Sequence, residues 1–96
     1  MMVLIAYDIK TDSENGDYRL RVISKICKNY GQRVQNSVFE CIITPAQLVE
    51  IKTLLKEAMD TNIDSIRLYN LGVSWEHRVE HIGAKMPHDL EDTLIL

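Results

Sequence analysis

The sequence predicts an α+β domain in the order β-α-β-β-α-β, with one additional C-terminal strand and a tail. Three observations carry this. The hydrophobic period switches repeatedly between two and about 3.6 residues along the chain. The chain has 96 residues, which suits one domain over 1–96 with its core in about 1–72 and the extra strand and tail in 73–96. The first strand is apolar on both faces, as a central strand should be.

That strand spans residues 2–9, with Val3, Ile5 and Tyr7 on one face and Leu4, Ala6 and Asp8 on the other. A polar stretch, 10–17, forms a loop. From about Tyr18, Leu20, Ile23, Cys27 and Tyr30 recur at intervals of three, four and three, the stripe of an amphipathic helix. Asp17 favours its N-terminal end and Gly31 follows as a C-cap. Residues 32–43 read as strand, and Asn36-Ser37 within them reads either as a tight turn or as a bend. Thr44-Pro45-Ala46-Gln47 has the form of a capping box and opens a second helix lined by Leu48, Ile51, Leu55 and Ala58. Residues 64–71 alternate as a strand, and 78–82 form a shorter strand candidate. Two crossovers then give a four-stranded antiparallel sheet with both helices on one face. The other face is left bare, and its apolar residues Leu4 and Ala6 point to a homodimer packed sheet against sheet.

Composition excludes several classes. At 46% hydrophobic and 26% charged residues, with four glycines and two prolines, the chain is neither disordered nor collagen-like. No apolar run is long enough for a membrane span, and residues 1–9 lack a basic leader, so the expected location is cytoplasmic with no membrane partner. Cys27 and Cys41 have no paired spacing and read as buried free thiols of a reducing compartment. The net charge of −3 conceals an asymmetry. Residues 18–39 carry Arg19, Arg21, Lys25, Lys28 and Arg33 and no acid, while the rest holds six basic against fourteen acidic residues. Such a patch reads either as a solvated helix face or as a contact for a phosphate backbone.

Asp8 is the informative carboxylate, because it ends an otherwise hydrophobic strand. It either caps the following loop or, brought towards its copy across a two-fold axis, shares one Mg²⁺ that activates a water against phosphate. Paired carboxylates of that kind would make metal binding and activity rise towards alkaline pH. Arg19, Arg21 and Arg33 could hold a phosphate backbone nearby, and Tyr7 and Phe39 read either as base-stacking rings or, for Phe39 above all, as core. His77-Arg78-Val79-Glu80-His81 matches the pattern of one zinc-peptidase class, but the stretch is short and followed by Gly83. Glycine-rich phosphate loops, Ser-His-Asp arrangements and four-ligand zinc spacings do not occur.

Several blocks together resemble the small CRISPR adaptation ("Cas-two") family, CRISPR-associated endonucleases. These are Tyr7-Asp8-Ile9, Arg19-x-Arg21-Val22, Arg33-Val34-Gln35-Asn36-Ser37-Val38-Phe39-Glu40, Asp64 to Tyr69, Val79 to Gly83, and the Leu-Glu-Asp-x-Leu-Ile tail at 90–95. The resemblance implies a ferredoxin-like homodimer. It places the family's metal-binding, catalytic aspartate on Asp8, and its nucleic-acid-binding residues on Arg19, Arg21 and Arg33, with Tyr7, Ser37 and Phe39 in the same cleft. It implies a Mg²⁺-dependent endonuclease acting on single-stranded RNA or double-stranded DNA, and a role in spacer acquisition with the adaptation integrase ("Cas-one"). The alternative it implies is a non-catalytic dimeric scaffold binding duplex DNA and that integrase. A small-molecule regulatory domain on the same fold would need a pocket that the sequence does not reveal.

Overall fold

In a computed structural model, in which residues 1–84 are described, the elements follow the expected order. They are β1 (Met2–Asp8), α1 (Gly16–Tyr30), β2 (Gln32–Gln35), β3 (Val38–Ile42), α2 (Pro45–Ala58) and β4 (Ser65–Gly72), followed by a short 3₁₀ turn at Trp75–His77. The four strands form one antiparallel sheet in the order β2-β3-β1-β4. With β3 on one side and β4 on the other, β1 is central, which accounts for its apolar character.

The period-two reading of β1 holds: Val3, Ile5 and Tyr7 are buried, Leu4 and Ala6 are half-buried, and Asp8 is exposed. The buried set packs with Phe39 and Cys41 of β3, Ile23 and Cys27 of α1, and Ile51 and Leu55 of α2. Both helices therefore cover the same face. Each fully buried Ile or Phe contributes roughly 1.5–3 kcal/mol relative to exposure.

Local signals set most boundaries. Thr44 caps α2 with a complete capping box: the Gln47 N–H donates to Thr44 Oγ1 at 3.1 Å, and the Thr44 N–H donates to Gln47 Oε1 at 2.9 Å. Asn36-Ser37 is a tight turn joining β2 to β3, in which Gln35 faces Val38. The Tyr7 N–H donates to the Ser37 carbonyl at 3.0 Å, tying the turn to β1.

Two expectations are corrected and one is refined. First, α1 starts at Gly16, earlier than the apolar stripe indicates, because Asn15 takes up a left-handed conformation (φ 60°) and turns the chain into the helix. Second, Gly31 caps α1 as expected, but without the left-handed conformation usual for a glycine there. Its backbone is extended (φ −161°), but a Cβ there would lie 2.4 Å from the Glu40 carbonyl oxygen and 2.5 Å from Cys41 Sγ. The requirement is close approach to β3, not backbone freedom. Third, residues 78–82 form no strand. They follow the 3₁₀ turn without strand pairing, since alternation alone makes no strand without a neighbouring backbone. The 90–95 tail lies outside the described residues.

Candidate functional site

A cleft of about 950 Å³ opens between α1, the end of β1 and the Asn36-Ser37 turn. Tyr7, Asp8 and Ser37 line it, together with Arg21, Lys25 and Lys28 of α1 and Arg33 of β2. Residues 21, 25 and 28 stand four and three apart, so the helix brings all three cations to one face. The result is one exposed carboxylate at the end of a central strand, lining the same cleft as four cationic side chains. Such a surface attracts a polyanion and leaves a single acid at its edge.

Arg33 is the most fixed of the four. Its guanidinium carbon sits 5.1 Å from the centre of the Phe39 ring, and Nη2 donates to Ser24 Oγ at 2.5 Å. A cation over a ring face is held by the ring quadrupole, which limits where Arg33 can move. The Arg21 guanidinium carbon lies 5.8 Å from the Tyr18 ring centre, one turn earlier on the helix.

The aromatic residues do not present free faces. Phe39 has no exposed surface. It stacks with Tyr7 at 6.1 Å between centroids and 25° between planes, so it is core and a platform under Arg33 rather than a base-stacking ring. Tyr7 is 6% exposed, and its hydroxyl donates to the Asn36 carbonyl at 3.4 Å. Ser37 contributes backbone to the β1 tie and lines the cleft.

Arg19 does not line the cleft. It turns to the other side of α1, where Nε donates to Asp64 Oδ2 at 2.8 Å, Nη1 to the Glu14 carbonyl at 2.7 Å and Nη2 to Ser13 Oγ at 2.7 Å. The spacing of Arg19 and Arg21 contained the signal that separates them, since residues two apart lie about 200° apart around a helix. The same rule would have added Lys25 and Lys28 to the site. Burial pushes the Asp64 carboxyl upward, but hydrogen bonds from Arg19 and from the Asp60 and Lys10 N–H groups, with the Arg19 charge, outweigh it and hold Asp64 below the usual carboxylate range.

His77 and His81 are exposed and sit on a 3₁₀ turn and the irregular segment after it, so no helix gathers them as the zinc-peptidase pattern requires. Among the described residues no group of three or more His, Cys, Asp or Glu could hold a metal ion. Among the described residues one chain supplies a single carboxylate, Asp8, at the cleft. Among the described residues no helix is long and apolar enough to cross a membrane.

Comparison with known proteins agrees with this architecture. A family model described as CRISPR associated protein Cas2 matches residues 1–79. A CRISPR-associated endoribonuclease Cas2 of Chlorobaculum tepidum is 56% identical over 96 residues, covering 100% of both chains. A CRISPR-associated endonuclease Cas2 of Halalkalibacterium halodurans is 55% identical over 95 residues, covering 99% of each. Among solved structures, that of Streptococcus pyogenes Cas2 at pH 6.5 superposes with a TM-score of 0.74 at 54% identity, covering 86% of this chain and 100% of that one.

Proposed function

The chain belongs to the CRISPR-associated Cas2 family, and from that premise we propose that it is an endonuclease hydrolysing phosphodiester bonds of RNA or DNA. One observation carries the reading: the exposed Asp8 opens onto the same cleft as Arg21, Lys25, Lys28 and Arg33. The cations hold the backbone, Arg33 in a fixed orientation, and Asp8 marks the reacting end. The relatives' names, endoribonuclease in one case and endonuclease in another, support hydrolysis and leave both nucleic acids as substrates to be tried.

A single carboxylate is too poor a donor set for a divalent ion, so the reading includes a second copy of the chain. The sheet face opposite the helices supports this. It carries Leu4, Ala6 and Val38, with Ile42 51% and Tyr69 43% exposed, and Asp8 belongs to the same face. Packing two such faces together makes a homodimer with one Asp8 from each chain as the ligands of a shared Mg²⁺. Such an ion, when bound, offsets phosphate charge and activates a water. In the cell the reaction belongs to spacer acquisition beside the adaptation integrase. The excess of four cations over one acid in each cleft favours a second reading, in which the dimer binds duplex DNA as a scaffold for that integrase and cuts nothing.

Labelled RNA and DNA incubated with the full chain in Mg²⁺ or EDTA separate the two. Cleavage in Mg²⁺ that disappears with EDTA and with Asp8→Asn is the expected result. Cleavage that survives Asp8→Asn overturns the assignment of this residue, and binding without cleavage under every condition leaves the scaffold.

A further inference from the structure

The chain leaving Asp8 is clamped by one buried carboxylate. The Asp64 side chain has no exposed surface, and it accepts three different donors: the Lys10 N–H at 3.0 Å, the Asp60 N–H at 2.9 Å and Arg19 Nε at 2.8 Å. Arg19 reaches back from α1 to the same segment, through the Glu14 carbonyl, Ser13 Oγ and, at 3.4 Å, the Lys10 carbonyl. The segment is also pressed from below, since a Cβ on Gly16 would lie 2.4 Å from the Lys10 carbonyl oxygen and 2.6 Å from Thr11 Cα. Lys10 stands two residues beyond Asp8, and Thr11 lines the cleft.

We propose that Arg19 is a positioning residue: it acts through Asp64 on residues 10–15, fixing the cleft wall beside Asp8, and makes no contact with nucleic acid. This rests on the nuclease reading above, and it reassigns a residue that the family resemblance places on the phosphate backbone. Two physical arguments carry it. Bidentate phosphate binding needs two adjacent guanidinium N–H groups, and all three nitrogens, Nε, Nη1 and Nη2, are engaged by protein oxygens. Swinging Arg19 out would also leave a fully buried carboxylate without its cation, an arrangement that is strongly unfavourable. The Arg19–Asp64 pair is neutral as a unit, so the attraction of the cleft for phosphate comes from Arg21, Lys25, Lys28 and Arg33.

Salt-dependent binding and turnover of the full chain decide the matter, with single-stranded RNA and duplex DNA as probes. Removing a phosphate contact lowers the slope of log affinity against log salt by about 0.7 to 0.9, and Arg21→Ala is expected to do so. Arg19→Ala and Asp64→Asn are expected to keep the wild-type slope and KM while turnover falls about 10- to 100-fold, by the same factor in each and in the double variant. The opposite reading gives opposite signs: Arg19→Ala lowers the slope as Arg21→Ala does, and Asp64→Asn, by freeing the guanidinium, tightens binding. Either result overturns the proposal. Arg19→Lys keeps the charge without the fork and serves if Arg19→Ala does not fold. Wild-type slope with lost turnover supports positioning, and wild-type slope with wild-type turnover refutes it. Should the wild-type chain cut neither nucleic acid, the nuclease reading fails by itself, and the slopes of Arg19→Ala and Asp64→Asn still decide whether Arg19 touches phosphate.

Discussion

Removing Lys25 and Lys28 together should halve the salt sensitivity of nucleic-acid binding. The cleft carries four cations, three on one face of α1 and Arg33 on β2. Each phosphate they neutralise releases condensed counterions, so log affinity falls with log salt at about −0.9 per contact on a duplex and about −0.7 on a single strand. Four contacts in one chain's cleft give slopes of about −3.6 and −2.8. Between about 50 and 200 mM salt that amounts to roughly 150-fold weaker duplex binding and roughly 50-fold weaker single-strand binding. In Lys25→Ala/Lys28→Ala the duplex slope should drop to about −1.8 and the weakening to roughly 12-fold. Both lysines are exposed, so the substitutions should leave stability within about 0.5 kcal/mol and the change is not one of folding. Fluorescence anisotropy with labelled duplex and single strand across a salt series measures all of these slopes. A double variant with the wild-type slope, or a wild-type slope shallower than about −1, would refute the cleft as the backbone contact.

Three further outcomes follow from the geometry. Gly31→Ala forces a methyl group against the Glu40 carbonyl and Cys41 Sγ. It should cost roughly 1–3 kcal/mol, at about 4–8 °C of melting temperature per kcal/mol by circular dichroism, and an unchanged melt would count against the close approach. Because Asp64 is held below the usual carboxylate range, its contribution to stability is fully present above that range and is lost as pH falls through its folded value. Denaturant titrations at falling pH should show that loss in the wild type and a flatter profile in Asp64→Asn; parallel profiles would contradict it. Burial pushes the Cys27 thiol up to about 12, with Cys41 adding to the effect, and burial with the Glu40 charge pushes Cys41 to about 11. Both should therefore resist thiol reagents at neutral pH until the chain unfolds, and rapid labelling of the native protein would argue otherwise.

Much of the candidate site was legible before the fold was known, because its signals are local. Period two alone set Asp8 on the face of Leu4 and Ala6, and Thr44-Pro45-Ala46-Gln47 announced its own capping box. The basic window was visible as a run of charge, but grouping Arg19 with Arg21 ignored helix angle, which sends one to the cleft and the other to Asp64. No local signal pairs Arg19 with Asp64, which lie 45 positions apart. Residues 78–82 show the converse failure: a pattern suited to a strand stays irregular in the structure of one chain.

The order of elements, the capping box of α2 and the alternation of faces along β1 were set by interactions within a few residues along the backbone, and such interactions are written in neighbouring letters. The tertiary structure alone decided which cations share a cleft with Asp8, why Gly31 must lack a side chain, and that Phe39 supports Arg33 from within the core. Those facts depend on distances between segments remote in the chain. Only packing creates such distances, so no pattern of adjacent residues could encode them.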